Sequence, residues 1–299
     1  MKVDLTWQQI QQGDRRSLAR LISLIENQGE GSEELLRTLP AGNTPVIGIT
    51  GPPGAGKSTL VDALIGHWVA AGKKVAVLCV DPSSPFHHGA LLGDRIRMSD
   101  WYTHPDVFIR SLASRGSMGG LHPRIIEICD LLRPAGFDRI LIETVGVGQS
   151  EVEIAALADI TAVVLVPEAG DEIQTMKAGL MEIADLFIVN KADRPDAALF
   201  VKNLRSMLAP AFAAKKREIP ILQTVATEKT GIEELHQTLE KLFEIVQDGD
   251  KKVWLLAEKA YQLIQARRMQ DVSKEKLKEN IQEEMQKGIF NLYRFAAKY

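Results

Sequence analysis

Val46-Ile47-Gly48-Ile49-Thr50-Gly51-Pro52-Pro53-Gly54-Ala55-Gly56-Lys57-Ser58-Thr59-Leu60 is the stretch on which the reading of this chain turns. An apolar run, a glycine-rich turn and the start of a helical pattern follow one another. The turn fits Gly-x-x-x-x-Gly-Lys-Ser/Thr in the strand-then-helix context that turns a pattern match into a phosphate site. Glycines at 51, 54 and 56 allow the backbone to fold so that several N–H groups point at one anion, while the helix N-terminus adds positive potential. The nucleotide-binding set is therefore Gly51, Pro52, Pro53, Gly54, Ala55, Gly56, Lys57, Ser58 and Thr59. In it Lys57 reaches the β- and γ-phosphates, and Ser58 ligates Mg²⁺.

Working outward, short apolar runs alternate with helical patterns. Candidate strands cover 46–50, 75–80, 107–110, 139–143, 162–166, 186–190 and 221–225. Their near-continuous Val/Ile/Leu content suits strands covered on both faces, which predicts an α/β fold with a doubly wound, mostly parallel sheet. Ligands in such sheets collect at the carboxyl ends of strands, where every motif below falls. Residues 1–42 read as a helical extension, with Leu18, Leu21, Ile22 and Ile25 at helical spacing after a capping Asp14. Residues 43–247 form the nucleotide domain, and 248–299 read as helix alone, a C-terminal arm whose apolar stripe of Trp254, Ala257, Tyr261 and Ile264 either folds back on the sheet or, the favoured reading, docks on a second subunit.

The composition excludes several classes. A net charge of -3 over 299 residues gives no global attraction to nucleic acid or anionic lipid. No run approaches membrane-spanning length, and the N-terminus carries no signal-peptide pattern, so a cytoplasmic protein is expected. Cys79 and Cys129, both in apolar segments, read as buried thiols.

Asn190-Lys191-Ala192-Asp193 ends a strand with the side chains a guanine site needs. The Asp193 carboxylate can accept from guanine N1–H and the exocyclic amine, whereas adenine has an acceptor at N1 and no amine at C2. A site built on two such bonds can reject the wrong base by on the order of 10⁴-fold. Val225-Ala226-Thr227 follows the last strand, where backbone N–H groups would meet guanine O6. Glu143-Thr144-Val145-Gly146 ends another strand in an acid and supplies a glycine three positions later. Glu143 is placed to hold the magnesium shell, and the Gly146 N–H to bond the γ-phosphate. Val147 follows that glycine where small GTPases put a water-orienting glutamine, which predicts slow intrinsic turnover. In 80–98, Asp81 is a candidate for metal and water, Asp94 for the metal, and Arg95 and Arg97 for phosphate charge. Asp94, Arg95 and Arg97 also fit a charged helix face. His87-His88 lacks metal-ligand spacing and reads as loop surface.

Together, 51–59, Val80 to Pro85, Gly93-Asp94-Arg95-Ile96-Arg97-Met98, Glu143 to Glu151 and 190–193 resemble the MeaB/ArgK family, from about residue 14 to about 245. These are GTPases that accompany adenosylcobalamin-dependent mutases such as methylmalonyl-CoA mutase. The resemblance implies a P-loop NTPase of the SIMIBI type. It implies a homodimeric, GTP- and GDP-binding, magnesium-dependent chaperone that gates cofactor delivery to its mutase and protects it, with adenosylcobalamin reached only through that partner. The family's switch loops map onto 81–98, 146–154 and 167–177, with Gln149 in the second and Asp171, Gln174 and Lys177 at polar positions of the third. The chain departs from the pattern in two places: His87-His88, where small or hydroxyl residues are expected, and Val225 where the base loop usually has serine. A nickel-insertion GTPase would show His-rich tracts or a Cys-His pair, and an ATP-dependent kinase or transport ATPase would have no use for 190–193.

Overall fold

A computed structural model of the chain describes residues 7, 9–81, 98–113, 121–144, 150–168, 183–215, 218–247, 250–269, 271–288 and 290–299. Seven strands form one sheet: β1 (Val46–Thr50), β2 (Val75–Asp81), β3 (Val107–Ala113), β4 (Arg139–Thr144), β5 (Ile160–Leu165), β6 (Leu186–Asn190) and β7 (Ile221–Thr224). Their order is β3-β2-β4-β1-β5-β6-β7, and every strand pair is parallel. A parallel sheet needs a crossover between strands, and the helices that supply it cover both faces. For that reason all residues of β1, β5 and β6 are buried, and no polar alternation appears in them.

On one face lie α3 (Lys57–Ala70) and α7 (Ile232–Gln247), sharing a core with Ile47, Ile49, Val77 and Leu141. The opposite face carries α4 (Ile125–Leu132) and α5 (Ser150–Leu157), with α1 (Arg15–Glu26) packed over Ala76, Leu78 and Ile140 in the same cluster. A third cluster joins β5 and β6 to α6 (Ala197–Lys215) through Phe187, Phe200, Leu204 and Leu208. Each fully buried aliphatic side chain of this kind stabilises the fold by about 1.5–3 kcal/mol relative to exposure.

The N-terminal helix starts where its cap predicts. Asp14 accepts from the backbone N–H of Arg16 and Ser17, and the Ser17 hydroxyl holds its carboxyl below the ordinary carboxylate value. A short helix, α2 (Ser32–Arg37), follows. The α1 helix is fastened to the sheet: Arg110 of β3 pairs with Glu26 and donates to the Ser23 hydroxyl. β3 runs to Ala113 rather than stopping at Arg110, because its ladder to β2 continues through Ser111, Leu112 and Ala113, while the half-buried Arg110 guanidinium is paired beside it. Cys79 and Cys129 are buried and not disulfide-bonded. Among the described residues no helix is long and apolar enough to cross a membrane.

The chain divides into two compact units, Met1–Lys252 and Val253–Tyr299. The second starts inside α8 (Asp250–Arg268) and continues through α9 (Lys274–Gln286) and α10 (Leu292–Ala296). Ser273 caps α9 by accepting from Lys276 N–H, and Asn291 caps α10 through Arg294 N–H. Phe290, Phe295 and Tyr299 form a chain of tilted aromatic contacts, and Tyr299 accepts a bond from Asn280 Nδ2 at 2.8 Å. Val253, Leu256, Tyr261 and Ile264, on one side of α8, are 52–71% exposed.

Candidate nucleotide site

The carboxyl ends of β1, β4, β6 and β7 meet around the glycine-rich turn. Two of its glycines cannot be replaced. Gly51 has φ 136°, and a Cβ there would lie 2.1 Å from the Val164 carbonyl of β5; Gly56 has φ 84°, and a Cβ would lie 2.4 Å from Asn190 Nδ2. Pro52 carbonyl accepts from Ala55 N–H, which closes the turn. Gly56 then begins α3 without a side-chain cap, and no acidic residue occupies the first turn of the helix. The first N–H groups of α3 thus keep their positive end for an anion rather than for a carboxylate of the chain.

Lys57 is buried, and its Nζ donates to the Gly51 carbonyl at 2.7 Å and the Pro52 carbonyl at 3.0 Å. The ammonium is therefore held inside the loop. Next to it, Ser58 Oγ donates to Glu143 Oε1 at 2.6 Å, with both residues about 5–6% exposed. A hydroxyl and a carboxylate oxygen side by side are hard donors of the kind Mg²⁺ prefers, and an ion that keeps most of its waters needs no more than one or two such ligands. The residues present fit magnesium. Thr59, one place on, is half-buried.

The base loop is tied to the phosphate loop by direct bonds. Asn190, at the end of β6, donates from Nδ2 to the Ala55 carbonyl at 2.9 Å. Its Oδ1 accepts from the Thr224 hydroxyl and the Ala226 N–H, both at 3.1 Å, which brings in the 225–227 segment. Lys191 adopts the left-handed conformation, φ 57°, and extends over the turn to donate to the Gly54 carbonyl at 2.8 Å. Asp193 is exposed beyond it, on a loop fixed by Ala192 N–H to Thr224 carbonyl and Arg194 N–H to Lys191 carbonyl. Val225 and Ala226 are buried and Thr227 is exposed. Val225 is bonded through its own N–H to the Thr230 carbonyl, so its N–H is committed within the segment.

The structure thus brings Gly51 to Thr59, Glu143, Asn190, Lys191 and the 225–227 segment together. Asp81 is the last residue of β2, opposite Ala113 of β3; its side chain lies outside the described residues. Asp94, Arg95, Arg97, Gly146, Gln149, Asp171, Gln174 and Lys177 lie outside them too. Sequence reasoning missed three contacts. Thr224 links β7 to Asn190, Thr50 and Thr144 share a buried hydroxyl bond, and Glu168 at the end of the β5 connection pairs with Arg194 of the base loop. That pairing holds the Glu168 carboxyl below its ordinary value. Hydroxyls at strand ends were legible as residues, but their long-range partners were not.

Comparison with known proteins agrees with this geometry. The GTPase ArgK of Escherichia coli is 40% identical over 237 residues, 76% of this chain and 71% of its own. A Pyrococcus abyssi relative whose GTPase designation is provisional reaches 50% over 241 residues, 78% of this chain and 74% of its own. The fused isobutyryl-CoA mutase of Geobacillus kaustophilus is 36% identical over 232 residues, which is 72% of this chain but 21% of that protein. Among solved structures, one described as a LAO/AO transport system kinase superposes with TM-score 0.68 at 26% identity, covering 99% of this chain and 95% of its own. HypB from Helicobacter pylori, solved with nickel, superposes with TM-score 0.50 at 20% identity over 82% of this chain and 97% of its own, a likeness of fold alone. With residues 18–286 matching the family described as methylmalonyl Co-A mutase-associated GTPase MeaB, this chain belongs to the MeaB family of P-loop GTPases.

Proposed function

We propose that this protein binds and hydrolyses GTP as a homodimeric chaperone of an adenosylcobalamin-dependent acyl-CoA mutase, gating cofactor loading and protecting the mutase. The observation that carries the nucleotide half is the bonding of the base loop to the phosphate loop through Asn190 and Lys191, which sets the two loops side by side and supports a single site for triphosphate and base. The partner half is supported by a relative in which a homologous segment lies within a chain named a fused isobutyryl-CoA mutase.

In this reading Lys57 turns from the Gly51 and Pro52 carbonyls to the β- and γ-phosphates, and the first N–H groups of α3 face the same charge. Ser58, with Glu143 behind it, would hold magnesium, which when bound would supply positive charge to the phosphates. Glu143 orients the Ser58 hydroxyl. Asp81 and Asp94 share metal and water roles, Arg95 and Arg97 meet phosphate charge, and the Gly146 N–H reports the γ-phosphate. Gln149, Asp171, Gln174 and Lys177 carry that report to the partner. Asp193 selects guanine, which is the point against an ATP-dependent kinase or transport ATPase. Among the described residues no group of three or more His, Cys, Asp or Glu is arranged to hold a metal, so nothing there favours a nickel-insertion role.

The test is complex formation with an adenosylcobalamin-dependent acyl-CoA mutase, measured by size-exclusion chromatography with GDP and with a non-hydrolysable GTP analogue. The two nucleotides are expected to give different affinities. Equal behaviour with both, or no complex with either, would count against the chaperone role.

The exposed apolar side of α8 supports the dimer, because a stripe with Val253, Leu256, Tyr261 and Ile264 open to water is a large uncovered patch. Sedimentation of the full chain is expected to give a dimer, and Leu256→Asp a monomer. A monomeric wild-type chain would rule the dimer out.

A further inference from the structure

Strands β1 and β4 are paired as far as Ile49 and Glu143, and there they part. Beyond that point β1 enters the phosphate loop at Gly51, and β4 has already delivered Glu143 to the Ser58 hydroxyl. At the fork stand Thr50 and Thr144, 0% and 1% exposed. Thr144 Oγ1 donates to Thr50 Oγ1 over 3.0 Å and has the Ile49 carbonyl as a second, more distant acceptor at 3.5 Å.

Register is already set by the backbone ladder, so the strands do not need this bond to align. Valine has the same β-branched shape without a buried hydroxyl to desolvate. Two buried hydroxyls facing each other are therefore a costly choice for packing alone. What they do is extend the join between β1 and β4 by one residue past the ladder. The join is braced on both outer sides: Thr50 stands opposite Val163 of β5, whose neighbour Val164 closes over Gly51, and Thr144 stands opposite Val80 of β2. Thr50 precedes the first glycine of the phosphate loop, and Thr144 follows the acid. The spacing of loop and acid is what sets the 2.6 Å contact between Ser58 and Glu143.

We infer that Thr50 and Thr144 are positioning residues, a hydroxyl clasp that fixes the phosphate loop against Glu143 and so sets the magnesium site. This inference rests on the reading of the pocket as a magnesium-dependent guanine-nucleotide site.

The experiment uses the full chain as wild type, Thr50→Val, Thr144→Val, Thr144→Ser and the Thr50→Val/Thr144→Val pair. Three quantities are read: melting temperature without nucleotide, the ratio of GDP affinities with Mg²⁺ and with EDTA, and GTP turnover. Thr144→Val leaves the buried Thr50 hydroxyl without this donor, Thr50→Val leaves Thr144 only the more distant Ile49 carbonyl, and the double variant replaces both by apolar groups of the same shape, which can be nearly neutral for stability. Thr144→Val is expected to lower melting temperature and to reduce the magnesium enhancement of GDP affinity by about 5-fold, the worth of one net hydrogen bond. Thr144→Ser restores both. The double variant recovers the melting temperature but not the magnesium enhancement or the turnover. A double variant that recovers all three, or a Thr144→Val with unchanged magnesium enhancement, would overturn the clasp while leaving the pocket intact. Wild-type protein that binds no guanine nucleotide would overturn the pocket, and the clasp with it.

Discussion

Asp193→Asn is expected to lower affinity for GDP and GTP by on the order of 10³-fold, because one hydrogen bond to a charged acceptor is lost, the other loses its charge, and a donor is left facing a donor. The same variant should gain xanthine nucleotides. The carboxylate accepts from guanine N1–H and from the exocyclic amine; an amide presents one acceptor and one donor, and its donor faces the amine of guanine but the carbonyl of xanthine. Asp193 is exposed, on a loop whose shape is fixed through Lys191, Ala192 and Arg194, so the substitution changes hydrogen-bonding character without removing anything from the core. Melting temperature should accordingly stay near wild type in the absence of nucleotide. Competition of unlabelled GDP and XDP against a fluorescent guanine nucleotide measures the switch. Guanine selectivity unchanged in a folded Asp193→Asn would remove the base site from the account.

Lys57→Ala is expected to weaken binding of di- and triphosphates by on the order of 10²–10³-fold, the cost of losing a charged donor to phosphate. Here the structure adds a second consequence. Lys57 is buried and satisfies the Gly51 and Pro52 carbonyls, so its removal leaves those acceptors to water and loosens the turn before any nucleotide arrives. Lys57→Arg keeps the charge but brings a wider, planar group into a space closed by the loop backbone, and it is not a conservative change. Calorimetry with GDP and Mg²⁺ checks the prediction. Affinity within a few-fold of wild type in a folded Lys57→Ala would show that the glycine-rich turn is not the phosphate site.

The parallel sheet was legible because burial on both faces leaves no reason for polar alternation, and each of the seven apolar runs became a strand. The boundaries that moved did so for reasons outside any local window. The expected end of β3 at Arg110 gave way to Ala113 because the ladder to β2, well back in the chain, continues to Asp81 opposite Ala113. β5 starts at Ile160, with the polar Thr161 inside it, because the ladder to β1 already pairs Ile160 with Ile47 and Thr161 with Gly48. The glycine spacing at 51–56 pointed to phosphate through its strand-then-helix flanks, whereas the tetrapeptide at 190–193, which alone also makes a plain surface turn, gained its meaning from following a phosphate loop and a buried strand. Their mutual bonding did not show. That Asn190 would hold Ala55, Thr224 and Ala226 at once is a property of the strand order, which sets β6 two places from β1 and next to β7. The same holds for Thr50 and Thr144, which are 94 residues apart and meet only because β1 and β4 are neighbours.

The central claim is that one pocket holds a triphosphate and a guanine ring together. Isothermal calorimetry of the unmodified full chain with GTP, GDP and ATP in the presence of magnesium tests it most directly. Saturable binding of both guanine nucleotides, with ATP weaker by on the order of 10³-fold or more, is the predicted result. Equal affinity for ATP and GTP, or no heat of binding for guanine nucleotides with a folded protein, would contradict it.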